Sequence, residues 1–210
     1  MICISIAEKT AEECIKALEG VELAEIRLDA MDIDASDIEK IFSMPAKLIA
    51  TYRPGKCNDE KRHMALLKAI DSGASFVDIE LEAGEDYRKV LVKHAKSKGC
   101  KVIISHHDFK GTPCRAELEK IVNNCFESGA DIAKIACKVD SDADNARLLG
   151  LLDSGKQIIV IGMGEKGRIT RLAAPLLGSP FTFAAPEKGK ETAEGQMTAD
   201  EMKKVYGVLE

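Results

Sequence analysis

A (β/α)8 TIM barrel, built as one compact domain over residues 1–210, is the fold this sequence predicts. Two observations predict it. Apolar runs rich in Ile, Val and Phe recur roughly every 25 residues, and the segments between them repeat apolar residues three and four apart, the period of a helix with one buried face. With 45% hydrophobic residues, the 210-residue chain is long enough for one substantial core. An open doubly wound sheet is the rival arrangement of the same alternating units.

The first run, ICISIA (2–7), has no basic leader and turns charged at once, so it reads as a strand and not as a signal peptide or membrane span. TAEECIKALEG then shows helical spacing and stops at glycine. ELAEIRL (22–28) and KLIAT (47–51) are the second and third strands, and DEKRHMALLKAIDSG is the helix leading to FVDIEL (76–81). EDYRKVLVKHAKSKG precedes the fifth strand, KVIIS (101–105), and CRAELEKIVNNCFESG precedes the sixth, DIAKIA (131–136). QIIVIG (157–162), the helix ITRLAAPLLG and FTFA (181–184) complete the alternation. The loop PEKGKETAEGQ (186–196) follows the eighth strand, at the C-terminal mouth where barrel sites form, and is placed to act as a lid.

Thirty Lys and Arg against 35 Asp and Glu give a net charge of −5, which excludes a general attraction for nucleic acid or an anionic membrane. An anionic substrate therefore needs a local cluster of arginines. The seven cysteines contain no CxxC pair, and Cys100, Cys114, Cys125 and Cys137 lack the spacing of a structural zinc site. Free buried thiols in a reducing cytoplasm are the expectation.

Strand parity exposes the residues that do not belong in an apolar core. In ELAEIRLD the outer, helix-covered face must be Ala24, Ile26 and Leu28, which turns Glu25 and Arg27 inward with Leu23. In FVDIEL the inward set is Phe76, Asp78 and Glu80, and in DIAKIA it is Ile132, Lys134 and Ala136. A barrel interior is packed, so charges there are costly unless paired or used. Glu25 and Arg27 are open to a structural reading as an ion pair at the rim, and Lys134 to one that snorkels. A desolvated lysine is alternatively an amine nucleophile able to form a Schiff base with a carbonyl.

An imine is useful when a base stands by to take the proton it acidifies. ISHHDF supplies one: His107 shares the parity of Ile103 and Ser105, whereas His106 alternates with them and reads as a packing or outer-face residue. His63 and His94 lie on helical patterns and read as structural. HHD at 106–108 does not make a metal site, since neighbours on a strand point oppositely.

GMGEKG (162–167) matches the letters of a dinucleotide fingerprint, but it follows the seventh strand and not a first crossover. A phosphate cradle formed by Gly162, Gly164, Gly167 and Lys166 is the stronger alternative there. Arg171, in the first turn of the next helix, suits a carboxylate equally well. The glycines alone do not decide between the two anions.

The ordered set ExR (Glu25, Arg27), TYR (51–53), DIE (78–80), SHHDF (105–109), DIAKIA with Lys134, MGEKGRITR (163–171) and TAEGQ (192–196) resembles type I 3-dehydroquinate dehydratase over nearly the whole chain. The resemblance implies a cofactor-free, metal-free, homodimeric lyase of the shikimate pathway, acting on a small-molecule carboxylate by syn elimination through a lysine imine. It implies that Lys134 condenses with the substrate, that His107 is the acid and base, and that Glu80 orients and charge-balances His107. Glu25, Arg27 and Arg53 would shape the polar pocket, Arg171 would hold the carboxylate, and Thr192 and Gln196 would contact substrate from the closing loop. Thr192 stands where the family commonly has serine; the hydroxyl is kept and a methyl is added. A class I aldolase with a phosphorylated substrate would use Lys134 similarly, and a catalytically silent scaffold would keep only the barrel.

Overall fold

The computed structural model describes residues 1–55 and 59–209. Its strands are β1 (Ile2–Ile6), β2 (Leu23–Arg27), β3 (Lys47–Thr51), β4 (Phe76–Glu80), β5 (Lys101–Asp108), β6 (Ile132–Lys138), β7 (Ile158–Met163) and β8 (Thr182–Ala184). They form one 8-stranded parallel sheet in the order β7-β6-β5-β4-β3-β2-β1-β8, and β7 and β8 meet to bring the ring nearly to closure. The open doubly wound sheet is thereby excluded. Around the ring lie α1 (Ala11–Ala17), α2 (Ala35–Phe42), α3 (Asp59–Asp71), α4 (Glu85–Ser97), α5 (Arg115–Glu127), α6 (Asp142–Gly150), α7 (Arg168–Leu176) and α8 (Ala199–Leu209). Among the described residues no helix is long and apolar enough to cross a membrane.

Local chemistry explains the boundaries. Thr10 caps α1 with its hydroxyl while Glu13 reaches back to the Thr10 backbone, a reciprocal capping box at the start of TAEE. Asp34 caps α2 by accepting from the amides of Ser36 and Asp37. The apolar run KVIIS stops at Ser105, yet β5 continues to Asp108, because His106, His107 and Asp108 stay in register with Ile135, Ala136 and Cys137 of β6. His107 therefore sits on rigid strand and not in a loop.

Alternate strands fill the barrel in layers. Leu23, Phe76, Ile132 and Phe181 form the lowest, and Cys3, Ile49, Ile103 and Ile159 the next, both within one apolar cluster. Above them the register places Glu25 of β2, Asp78 of β4, Lys134 of β6 and Phe183 of β8. The following layer, Ser5, Thr51, Ser105 and Ile161, supplies hydroxyls to the carboxylates beneath. The core is thus apolar at the bottom and ionic toward the C-terminal mouth. The described cysteines are free; Cys14, Cys100, Cys125 and Cys137 are buried, which pushes their thiols up to about 12 and leaves them inert.

Candidate active site

Lys134 is only 4% exposed, and its ammonium lies 2.9 Å from Asp78 Oδ2 and 3.5 Å from Glu25 Oε1, with Nζ 4.0 Å from the centre of the Phe183 ring. It does not snorkel. Paired in this way, its charge is balanced inside the barrel, where an isolated ammonium would be prohibitive.

The carboxylates are themselves held. Glu25 accepts from Ser5 Oγ and Thr51 Oγ1, both at 3.0 Å. Asp78 accepts from Ser105 Oγ at 2.6 Å and from both terminal nitrogens of Arg53, at 3.0 and 2.8 Å. Burial pushes both acids up, but Lys134 and Arg53 outweigh it, so each stays below its usual range and ionised. Arg27 does not pair with Glu25; it makes a bidentate pair with Asp29 at 3.0 and 2.7 Å, and Asp29 also accepts the Arg53 amide.

A cavity of about 540 Å3 opens above this layer, and every residue to which the resemblance gives a role lines it: Glu25, Arg27, Arg53, Glu80, His107, Lys134, Arg171, Thr192 and Gln196. Asp78 lies beneath its floor. The sequence placed Asp78 on the inward face without assigning it a role; the structure makes it the nearest counter-ion of Lys134. Its shared parity with Glu80 was the available signal.

The His107 ring stacks on Phe109 with centroids 6.1 Å apart and planes 13° from parallel. Burial first, then the cations of Arg53 and Lys134, push its pKa down to about 2, against an opposing pull from Asp78. The ring is neutral at working pH. His106 faces the other way and pairs with Glu82. Glu80 is raised by burial, with Arg53 and Arg62 pulling it down and Asp78 and Glu82 pushing it up. Its carboxylate is 3.6 Å from Arg53 and 3.3 Å from Arg62, and among the described residues no hydrogen bond joins it to the His107 ring.

This arrangement makes stability depend on pH. The folded ring resists a proton that an unfolded histidine accepts near 6.5, so the unfolded chain binds more protons between 6.5 and about 2. The contribution of His107 is complete above that window and is lost as pH falls through it. Asp78 and Glu25, both lowered, lose theirs only below the ordinary carboxylate range. Wild type should therefore lose more stability between pH 7 and pH 5 than His107→Asn does, by on the order of 2 kcal/mol. Urea melts at the two pH values check this; an equal drop in both proteins would contradict it.

Arg171, in the first turn of α7, is 1% exposed. One terminal nitrogen donates to the Glu194 carbonyl at 3.3 Å, while Nε is buried without a protein partner. Burial pushes it down to about 10, and among the described residues no carboxylate lies within ion-pair distance. A buried cation facing a cavity without a counter-ion is suited to bind a carboxylate.

Of the loop 186–196, Thr192, Ala193, Glu194 and Gln196 line the cavity. Gln196 accepts from the Thr192 amide at 2.7 Å and from its hydroxyl at 3.2 Å, and donates to Ser5 Oγ at 3.2 Å. Gly195, at φ 73°, packs so closely on Gly164 that a Cβ there would stand 2.3 Å from the Gly164 oxygen. The glycines of GMGEKG thus serve close backbone packing. A Cβ on Gly167 would meet the Gly162 carbonyl carbon at 2.3 Å, and Thr170 ties the turn by accepting from the Gly162 amide and donating to the Gly167 carbonyl. Lys166 turns away to the Asp140 carbonyl, donating to it at 2.9 Å.

The family model for type I 3-dehydroquinase matches residues 2–210. A 3-dehydroquinate dehydratase of Methanocaldococcus jannaschii is 39% identical over 223 aligned positions, spanning 100% of this chain and 99% of that protein. Among solved structures, the type I 3-dehydroquinate dehydratase of Clostridium difficile with covalent modified comenic acid superposes with a TM-score of 0.87 at 25% identity, covering 99% of this chain and 91% of that one. The 3-dehydroquinate dehydratase of Aquifex aeolicus gives 0.85 at 27% identity, covering 100% and 99%.

Proposed function

The chain belongs to the type I 3-dehydroquinase family and is a lyase acting on 3-dehydroquinate in the shikimate pathway, and from that premise we propose that it works through a Schiff base on Lys134. The observation that carries this reading is the Lys134 amine, held by Asp78 and Glu25 in the wall of the cavity that His107 also lines.

Attack of Lys134 Nζ on the C3 carbonyl forms the C–N bond, and loss of the carbonyl oxygen as water gives a protonated imine. Ammonium and iminium carry the same charge at Nζ, so Asp78 and Glu25 stabilise the intermediate without rearranging. His107 then removes a C2 proton while the electron pair of that bond flows into the iminium, giving a neutral enamine. Positive charge leaves Nζ as it arrives on His107, so of the influences that lower the resting ring, chiefly burial, Arg53 and Lys134, that of Lys134 vanishes in the step that protonates it. Asp78 remains as a negative charge acting on the imidazolium, and Glu80 lines the same cavity.

The enamine expels the C1 hydroxyl, which leaves as water with the proton that His107 carries. Hydrolysis of the conjugated imine consumes one water, releases 3-dehydroshikimate and restores the amine. Arg171 holds the carboxylate; Arg27, Arg53 and Glu25 line the space for the ring hydroxyls, and Thr192 and Gln196 cover it from the lid.

One histidine serving both C2 and C1 from one face requires syn elimination. With substrate deuterated stereospecifically at C2, the deuteron on the same face as the departing hydroxyl should be lost and the other retained in 3-dehydroshikimate, as read by mass and NMR. Retention of the syn deuteron would contradict a shared acid and base.

A further inference from the structure

We infer that Arg62 is a positioning residue for this reaction, fixing the Glu80 carboxylate and the strand end that carries Arg53 from outside the cavity. The inference rests on the roles given to Glu80 and Arg53 under the proposed function. Arg62 lies on the first turn of α3, is 5% exposed, and is not among the residues lining the cavity.

Its planar fork has three directions and uses each. Nε donates to the carbonyl of Tyr52, the residue before Arg53, at 2.8 Å. One terminal nitrogen reaches Glu80 Oε2 at 3.3 Å, and the other lies 3.9 Å from Asp59. The guanidinium also lies over the Tyr87 ring, 5.1 Å from its centroid, so α4 packs it from behind. A lysine at this position could hold one of the two active-site anchors but not both. Glu80 is thereby gripped from the far side by Arg62, while Arg53 approaches from the cavity side at 3.6 Å.

The charges facing Glu80 are Arg53 from the end of β3, Arg62 from α3, Asp78 on its own strand and Glu82 just beyond it. Removing Arg62 deletes one of the two cations that favour the ionised carboxylate. Glu80 would then hold its proton to higher pH, and the acid limb of kcat/KM would move upward.

The test uses Arg62→Gln, which keeps a neutral donor, and Arg62→Lys, which keeps the charge, each with and without Glu80→Gln. Arg62→Gln should lower kcat by about tenfold, the size of one lost charge-assisted hydrogen bond. KM should change less, and the acid limb should shift upward. Arg62→Lys should restore the limb, and Arg62→Gln should add little once Glu80→Gln is present. An unchanged kcat and limb, or an equal loss with and without Glu80, would overturn the inference; if Arg62→Gln fails to fold, the same cycle with Arg62→Met, which removes the charge but keeps a buried stem, decides. Borohydride trapping on the same samples separates the two claims. A wild-type protein that forms no adduct contradicts the Schiff-base reading, whereas trapping in wild type and variant alike with an unshifted profile contradicts only the role of Arg62.

Discussion

Lys134→Ala should lower turnover of 3-dehydroquinate by about 10⁵-fold or more, the scale on which a positioned covalent partner acts. Without the amine, the C2 proton must be taken from an ordinary ketone with no internal electron sink, and a neutral histidine is too weak a base for that. The loss is chemical and not structural. Asp78 keeps its bidentate partner Arg53, and Glu25 keeps the hydroxyls of Ser5 and Thr51, so neither carboxylate is orphaned. Arg171 is untouched, so 3-dehydroquinate should still raise the melting temperature of the variant. Turnover near the wild-type rate in Lys134→Ala would sink the mechanism outright.

His107→Ala should lower kcat by about 10³- to 10⁴-fold, near the upper range for a single acid and base. The effect should fall on elimination more than on binding. Lys134 retains its counter-ions in this variant, so imine formation should persist slowly and the trapped adduct should still accumulate. Rapid-quench measurement of adduct and product together checks the split. Equal slowing of both would show that His107 acts mainly in forming the imine, and no slowing of either would remove it from the mechanism.

Much of this architecture was legible in the sequence because a barrel strand obeys two constraints at once. Its outer face must be apolar for the helices, so any charge on the strand is forced inward, and parity alone put Glu25, Lys134, Glu80 and His107 on the interior. Depth was not legible in the same way. Asp78 and Glu80 share a face, but only the stagger of the closed ring sets Asp78 in the layer of Lys134 and Glu80 two layers higher, beyond the layer of Ser105. The end of β5 was misplaced because the apolar run stops at Ser105, whereas the hydrogen-bonded ladder with β6 carries His107 further.

Arg62 had no readable signal. It stands in the charged run DEKRH, whose pattern suggests a solvated helix start, and only the approach of α3 to the end of β3 buries it against Tyr52 and Glu80. The glycines of GMGEKG read from sequence as a fingerprint for a dinucleotide or a cradle for phosphate; in the structure what approaches them is the protein's own turn and the loop glycine Gly195. Arg171 was placed on a helix by its spacing, and the absence of an ion-pair partner among the described residues emerges only from the packed structure.

The most direct test of the central claim is to add 3-dehydroquinate with borohydride to the wild-type protein and locate any modification by intact-mass and peptide mass spectrometry. A single reduced adduct on the peptide carrying Lys134, with 3-dehydroshikimate appearing in the untrapped sample, is the predicted result. Product formation with no adduct, or an adduct on another lysine, would contradict it.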